Sequence, residues 1–226
     1  MLTVHHLQRS QSERIVWLCE ELGIQYNLKS YERDPKTLLG PSEIKGLTPM
    51  GGAPAITDGS ITIGETTACA EYILTKYGSG KLVVKPDASN YADYLYWLHF
   101  ANGTLQPNIS RSMWFGFAGL GPDSDNPIVQ RSLGGMRKAL QVIDDRVKQS
   151  TWLAGEEFTA ADVMSVFSLT TMRLFSPFSL DDYPGIVGYL ERVGKREAYQ
   201  KAMEKGDPGL KPLLGKEKPE PIARKL

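Results

Sequence analysis

Cysteine is nearly absent from the 226-residue chain: there are two, Cys19 and Cys69. Both fall inside helical patterns, not at the spacing of metal ligands or of a redox pair. That excludes a disulfide scaffold and a zinc module, and a reduced, intracellular, cytoplasmic setting is expected. Charge of one sign is lacking as well, because 26 Lys and Arg balance 26 Asp and Glu. With no electrostatic footprint, neither nucleic acid nor an anionic membrane is an expected partner, and a small molecule or another protein is favoured. There is no run of 18 apolar residues and no basic region followed by an apolar core at the start, so neither a membrane span nor a signal peptide is expected.

What is present begins with a hydrophobic fraction of 41%, that of an ordinary globular protein. The densest stretch is Pro49 to Thr67. Ala55 to Thr57 follow Pro54 as a short strand, Asp58-Gly59 is a hairpin turn, Ile61 to Ile63 return, and Glu65-Thr66 open a helix. A proline heading a strand has no N–H for the ladder, so the backbone of Ala53 before it can be left for a ligand. Before this stretch, Leu2 to Leu7 reads as a strand with His5 and His6 on opposite faces. Ser10 to Gly23 reads as a helix with a Ser10/Glu13 capping box, Gln25 to Tyr31 as a second strand, and Leu38 to Lys45 as a short helix. The order βαβαββα gives an α/β, thioredoxin-like domain over residues 1–78.

Glycine, serine and proline between Tyr77 and Asn90 mark a linker over 79–89. An all-α domain is expected over 90–207. It opens with an aromatic-rich helix from Tyr91 to about Phe117, kinked or broken near Gln106 by Gly103 and Pro107. Helices at 129–147, from Thr159, at about 184–194 and at about 198–205 follow, and prolines mark an irregular tail over 208–226. Thr159 with Asp162 forms a capping box with Asp in the place of Glu, which makes Asp162 a folding residue. The final Arg224-Lys225-Leu226 matches the peroxisomal address only loosely, since a small residue normally stands first.

Taken together, Ser10 to Gly23 (SQSERIVWLCEELG), Gly52-Ala53-Pro54-Ala55-Ile56, Gly64-Glu65-Thr66, Trp152 to Asp162 and Tyr183-Pro184 with Val193 to Ala202 resemble, in order and spacing, the cytosolic glutathione transferases. Within that family the chain is most similar to fungal and bacterial members with serine near the first helix. No tyrosine ends the first strand, where His5, His6 and Leu7 stand, and no cysteine starts the first helix. Two departures are Gly52, where many relatives carry a side chain that touches glutathione, and Glu197, where a proline is common.

The resemblance implies a homodimer that detoxifies small hydrophobic electrophiles with the glutathione thiolate, using no metal and no bound cofactor, glutathione being co-substrate. A thiol has a pKa of about 8.5, so one charge-assisted hydrogen bond, about 1.5–3 kcal/mol or one to two pKa units, activates it usefully. Ser10 in the strand-to-helix turn is the first candidate donor, with Ser12 or a backbone N–H as alternatives. Gly52, Ala53 and Pro54 would present backbone to the cysteinyl residue, Glu65 and Thr66 would hold the γ-glutamyl end, and Lys45 is the nearest base for the glycyl carboxylate. Leu7, Arg111, Trp114 and Phe115 are candidates for an electrophile site between the domains. Glutathione-dependent peroxide or disulfide reduction, and a non-catalytic binding role, are the alternative functions.

Overall fold

The computed structural model describes residues 1–222; the Arg224-Lys225-Leu226 signal lies outside the described residues. The chain forms two compact units. One comprises Met1–Val83 with Gly194–Pro212, the other Val84–Val193 with the residues from Leu213 on.

In the first unit a four-stranded mixed sheet has the order β2-β1-β3-β4, with β1 Leu2–Leu7, β2 Asn27–Tyr31, β3 Ala55–Asp58 and β4 Ile61–Gly64. β1 runs parallel to β2, reached through helix α1 (Glu13–Leu22), and antiparallel to β3, where His5 pairs with Ala55. Helix α2 (Ser42–Lys45) is a single turn, and α3 (Thr66–Tyr77) follows β4 directly. Gly59, at φ 63°, supplies the left-handed residue that the Asp58-Gly59 hairpin needs.

The second unit holds α4 (Tyr91–Phe100) and α5 (Gln106–Phe117), α6 (Pro127–Gln149), α7 (Ala160–Leu169) and α8 (Pro184–Gly194, of which Gly194 counts with the first unit). Between α4 and α5 the helix does not break: Ala101–Leu105 is a π-helical turn. Pro107 has no N–H and would crowd the preceding turn, and a widened turn just before it absorbs the misfit. Thr159 and Asp162 form the expected capping box.

Two expectations are corrected. Helix α1 starts at Glu13, not at Ser10, and the Ser10/Glu13 box does not form; the hydroxyl of Ser12 turns back to β1 instead, as described below. The last helix, α9 (Glu197–Gly206), belongs to the first unit and not to the all-α domain. Its apolar face (Tyr199, Ala202, Met203) is buried, the ring of Tyr199 lies edge-on to Trp17 of α1 at 4.9 Å, and Arg196 pairs with Glu21. Aromatic packing of that kind outweighs sequence proximity to the helices before it. The tail is irregular, yet it is tied within the second unit. The fully buried Arg173 donates to the carbonyls of Phe178, Gly215, Lys216 and Glu217.

Candidate active site

The turn Gln8–Ser12 carries the polar groups nearest the first helix. Arg9 has a positive φ of 54°, and the chain reverses so that Ser12 stacks under the end of β1. The Leu7 N–H donates to Ser12 Oγ at 3.1 Å, Ser12 Oγ lies 2.9 Å from His6 Nδ1, and the two serine hydroxyls are 2.7 Å apart. Ser12 is fully buried, whereas Ser10 is 6% exposed. The N–H of Ser12 donates to Ser10 Oγ at 3.2 Å.

Gln11, which sequence reasoning did not single out, is the residue of this turn that lines a cavity. The cavity has a volume of about 480 Å³. Its other walls are Thr48, Pro49 and Met50, then Gly52, Ala53 and Pro54, and then Gly64 and Glu65 at the mouth of α3. The Gln11 amide donates to the Ala53 carbonyl at 2.9 Å, while its oxygen accepts from the buried Arg14 at 3.3 Å. Arg14 thus orients the carboxamide so that its N–H faces the loop. The Ala53-Pro54 bond is cis. A side chain at Gly52 would extend into open space, whereas one at Gly51 would strike the Lys45 carbonyl at 2.9 Å.

Glu65 sits at the head of α3 with φ 65°, a left-handed conformation that costs a non-glycine residue of order 1–3 kcal/mol. Next to it Thr66 is buried, and its hydroxyl has no partner among the described residues. A helix N-terminus carrying a spare hydroxyl beside a carboxylate suits an amino acid's paired carboxylate and ammonium. Ala53, Pro54 and Glu65 therefore share one cavity with Gly52, and Thr66 adjoins Glu65 in the chain. Lys45 does not line it: its side chain is exposed and its backbone supports Gly51.

Leu7 does not line it either, being packed in the core with Tyr31 and Ile44. In the second unit a cavity of about 990 Å³ is walled by Met113 and Phe117 of α5, Leu133 and Met136 of α6, and Phe175 and Phe178. Arg111, Trp114 and Phe115 of α5 are not among its lining residues. Arg111 donates to Asn108, and Trp114 is 61% exposed. On a helix with 3.6 residues per turn, positions 113 and 117 share a face that 111, 114 and 115 do not. Both cysteines are buried, and burial pushes the Cys69 thiol up to about 12 and the Cys19 thiol also upward. Burial therefore favours the protonated thiol at both cysteines.

Residues 9–76 match the model of the glutathione S-transferase N-terminal domain, and residues 105–197 that of the C-terminal domain. Glutathione S-transferase 3 of Schizosaccharomyces pombe is 30% identical over 216 residues, 91% of this chain and 88% of that protein. The chain belongs to the glutathione S-transferase family. A solved glutathione S-transferase from Actinobacillus pleuropneumoniae is 31% identical, covers 93% of this chain and 94% of its own, and superposes with a TM-score of 0.83. A glutathione transferase of Phanerochaete chrysosporium, solved with oxidized glutathione, shares the fold at 20% identity, covering 90% of this chain and 94% of its own, with a TM-score of 0.70. The thioredoxin-like sheet followed by a helical domain is thus the transferase fold, and the protein is a glutathione transferase with fungal and bacterial relatives.

Proposed function

We propose that this transferase joins the thiolate of glutathione to small hydrophobic electrophiles, with Ser10 donating a hydrogen bond to the sulfur. The observation that carries the reading is the 480 Å³ cavity, which Ala53 and Glu65 both line beside the head of α3. The γ-glutamyl ammonium meets Glu65, its carboxylate takes the α3 N-terminus and the Thr66 hydroxyl, and the cysteinyl backbone pairs along Ala53. The Gln11 amide now occupies the Ala53 carbonyl. A carbonyl has two lone pairs, so it shares or yields that bond when the tripeptide lies down.

Ser10 is favoured over Ser12 as donor by exposure: Ser12 has none, and its hydroxyl is enclosed by Leu7, His6 and Ser10. With both protein thiols buried, the reacting sulfur is the substrate's. Purified protein assayed with an aromatic halide, a hydroperoxide and a small disulfide tests the reading. Conjugation of the halide at the highest kcat/KM is expected. Dominant peroxide or disulfide turnover would replace transfer by reduction, and tight glutathione binding with no turnover on any of the three would make the protein a binding module. In Ser10→Ala the pKa of the bound thiol, read from thiolate ultraviolet absorbance, rises by about one to two units. An unchanged value removes Ser10 from the role.

A further inference from the structure

Behind Ser10 lies a chain of buried polar groups that the hydrogen-bond donor role alone does not require. From Ser10 Oγ it runs 2.7 Å to Ser12 Oγ and 2.9 Å to His6 Nδ1, then across the ring to Nε2, which faces Asp207 Oδ2 at 3.3 Å. His6 and Ser12 are fully buried and Asp207 is 4% exposed. Neither Nε2 nor Oδ2 makes a hydrogen bond among the described residues, and the 3.3 Å approach between them is an ion-pair contact. The second carboxylate oxygen accepts from the Arg9 N–H at 2.7 Å. Asp207 ends α9, and Gly206 before it lets the ring in, since a Cβ there would lie 3.0 Å from Nε2.

Counting protons gives the chain a direction. A buried carboxylate 3.3 Å from Nε2 favours a proton on that nitrogen, and Nδ1 is then an acceptor in the neutral ring and a donor in the cation. Ser12 Oγ has one proton and two lone pairs, and the Leu7 N–H takes one pair. The Leu7 carbonyl, at 3.3 Å, is the longest of the Ser12 hydroxyl's contacts, and the shorter ones at 2.7 and 2.9 Å assign the proton and the remaining pair to Ser10 and His6. With His6 neutral, Ser12 donates to Nδ1 and Ser10 donates to Ser12, so no Ser10 proton is left for a ligand. With His6 cationic, Nδ1 donates to Ser12 and Ser12 donates to Ser10. Ser10 then accepts from the Ser12 N–H and O–H, and its own proton is free to point at a sulfur.

We infer that His6, paired with Asp207, takes the glutathione thiol proton through Ser10 and Ser12, and that this transfer turns Ser10 into the donor that holds the thiolate. The inference rests on Ser10 being the residue at the sulfur. The S–H bond breaks as its proton reaches Ser10 Oγ, the Ser10 proton moves to Ser12 Oγ, and the Ser12 proton moves to Nδ1. No electrons are exchanged, and the products are a thiolate and an imidazolium. After the thioether leaves, the proton returns by the same path to solvent. A histidine oriented by a carboxylate and reached through a hydroxyl is the logic of a hydrolytic triad, applied here to the substrate's thiol in place of the enzyme's own nucleophile. Asp207 is the charged group against His6. Arg33 also lies in the field of Asp207, and its guanidinium donates to the Gln8 and Arg9 carbonyls. His5 faces the other side of the sheet, held by Tyr31 and Thr57.

The ¹⁵N signals of the three histidines, with His6 assigned through His6→Gln, report the step directly in the wild-type protein. Saturating glutathione is expected to make His6 doubly protonated, while S-methylglutathione, which has no thiol proton, leaves it neutral at the same pH. The same His6 state with both ligands overturns the relay. In parallel, Ser12→Ala and Asp207→Asn should raise the bound thiol's pKa by about one unit, a tenfold loss of thiolate below that pKa, with KM for glutathione changed less than about twofold. If Ser10→Ala leaves the thiol pKa unchanged, the Ser10 assignment itself fails. If Ser10→Ala raises it while Ser12→Ala and Asp207→Asn do not, the relay fails and Ser10 stands. Should Asp207→Asn not fold, the small Ser12→Ala change and the wild-type spectra still decide.

Discussion

Replacing Asp162 by Asn changes one atom of a fully buried side chain and should destabilise the second unit more than most surface changes could. One carboxylate oxygen accepts from the Leu153 N–H at 2.9 Å and the Tyr189 hydroxyl at 3.1 Å; the other accepts from the Thr159 N–H at 2.9 Å and the Thr159 hydroxyl at 3.3 Å. An asparagine supplies one oxygen and one NH2. Whichever way it flips, the NH2 faces a hydroxyl, which can turn to accept, and a backbone N–H, which cannot. One buried donor is then orphaned at about 1–3 kcal/mol, and the remaining bonds lose their charge assistance, for a total of roughly 3 kcal/mol. In a protein of this size that lowers the thermal midpoint by roughly 6–12 °C. Thr159→Ala, which keeps the carboxylate and its backbone donors, should cost only about 1 kcal/mol. Thermal and urea unfolding of both variants measure these values, and kcat/KM at 25 °C tests the accompanying claim that Asp162 serves folding alone. A midpoint for Asp162→Asn within about 1 °C of wild type, or a tenfold loss of kcat/KM at unchanged stability, refutes the reasoning.

Three further outcomes follow from other groups. Glu65→Gln should raise KM for glutathione by roughly tenfold or more with kcat nearly unchanged, because the lost ammonium contact, about 1.5–3 kcal/mol, acts on binding; a kcat effect with unchanged KM would contradict it. Asp58 receives Lys76 Nζ at 2.6 Å and the Tyr77 and Tyr72 hydroxyls at 2.5 and 2.9 Å, which hold its carboxyl below the usual carboxylate range. A depressed folded pKa contributes stability that is full above the unfolded value of about 3.9 and is lost progressively as pH falls from there through the lower folded value, so the stability gap between wild type and Asp58→Asn should begin to narrow below about pH 5 and keep narrowing with further acidification, and a gap constant with pH would count against the network. Cys19 and Cys69 should not react with a chromogenic disulfide reagent until the protein is unfolded, when both thiols titrate; rapid reaction of either in the native protein would show the burial to be breached.

Where the chemistry is local, the sequence was readable to the residue. Thr159 and Asp162 stand three apart and satisfy one another's backbone, Asp58-Gly59 needs only its own dihedrals, and α3 and α8 run from Thr66 to Tyr77 and from Pro184 to Gly194 as their flanking residues indicate. Long-range partners decided the rest. Helix α1 starts three residues late because the Ser12 hydroxyl is drawn to Leu7 and His6 in the preceding strand. Likewise α9 leaves the all-α domain because Tyr199 finds Trp17, a pairing across most of the chain that no window of sequence contains.

The candidate site divides along the same line. Ala53, Pro54 and Glu65 are marked by turn chemistry and resemblance, and they share a cavity. Gln11 carries no local signal, because its importance comes from an Arg14 buried under it and an Ala53 carbonyl 2.9 Å away. The choice between Ser10 and Ser12 was open in sequence for a more basic reason: two serines one residue apart have the same chemistry until their lone pairs are counted. Ser12 has one pair committed to Leu7, so its single proton must go toward His6 or toward Ser10, and the charge on His6 selects which. Ser10 inherits that choice. Its capacity to donate outward is therefore set at Asp207, at the end of a helix nearly two hundred residues away in the chain, so a substitution there should reach the thiol without touching it.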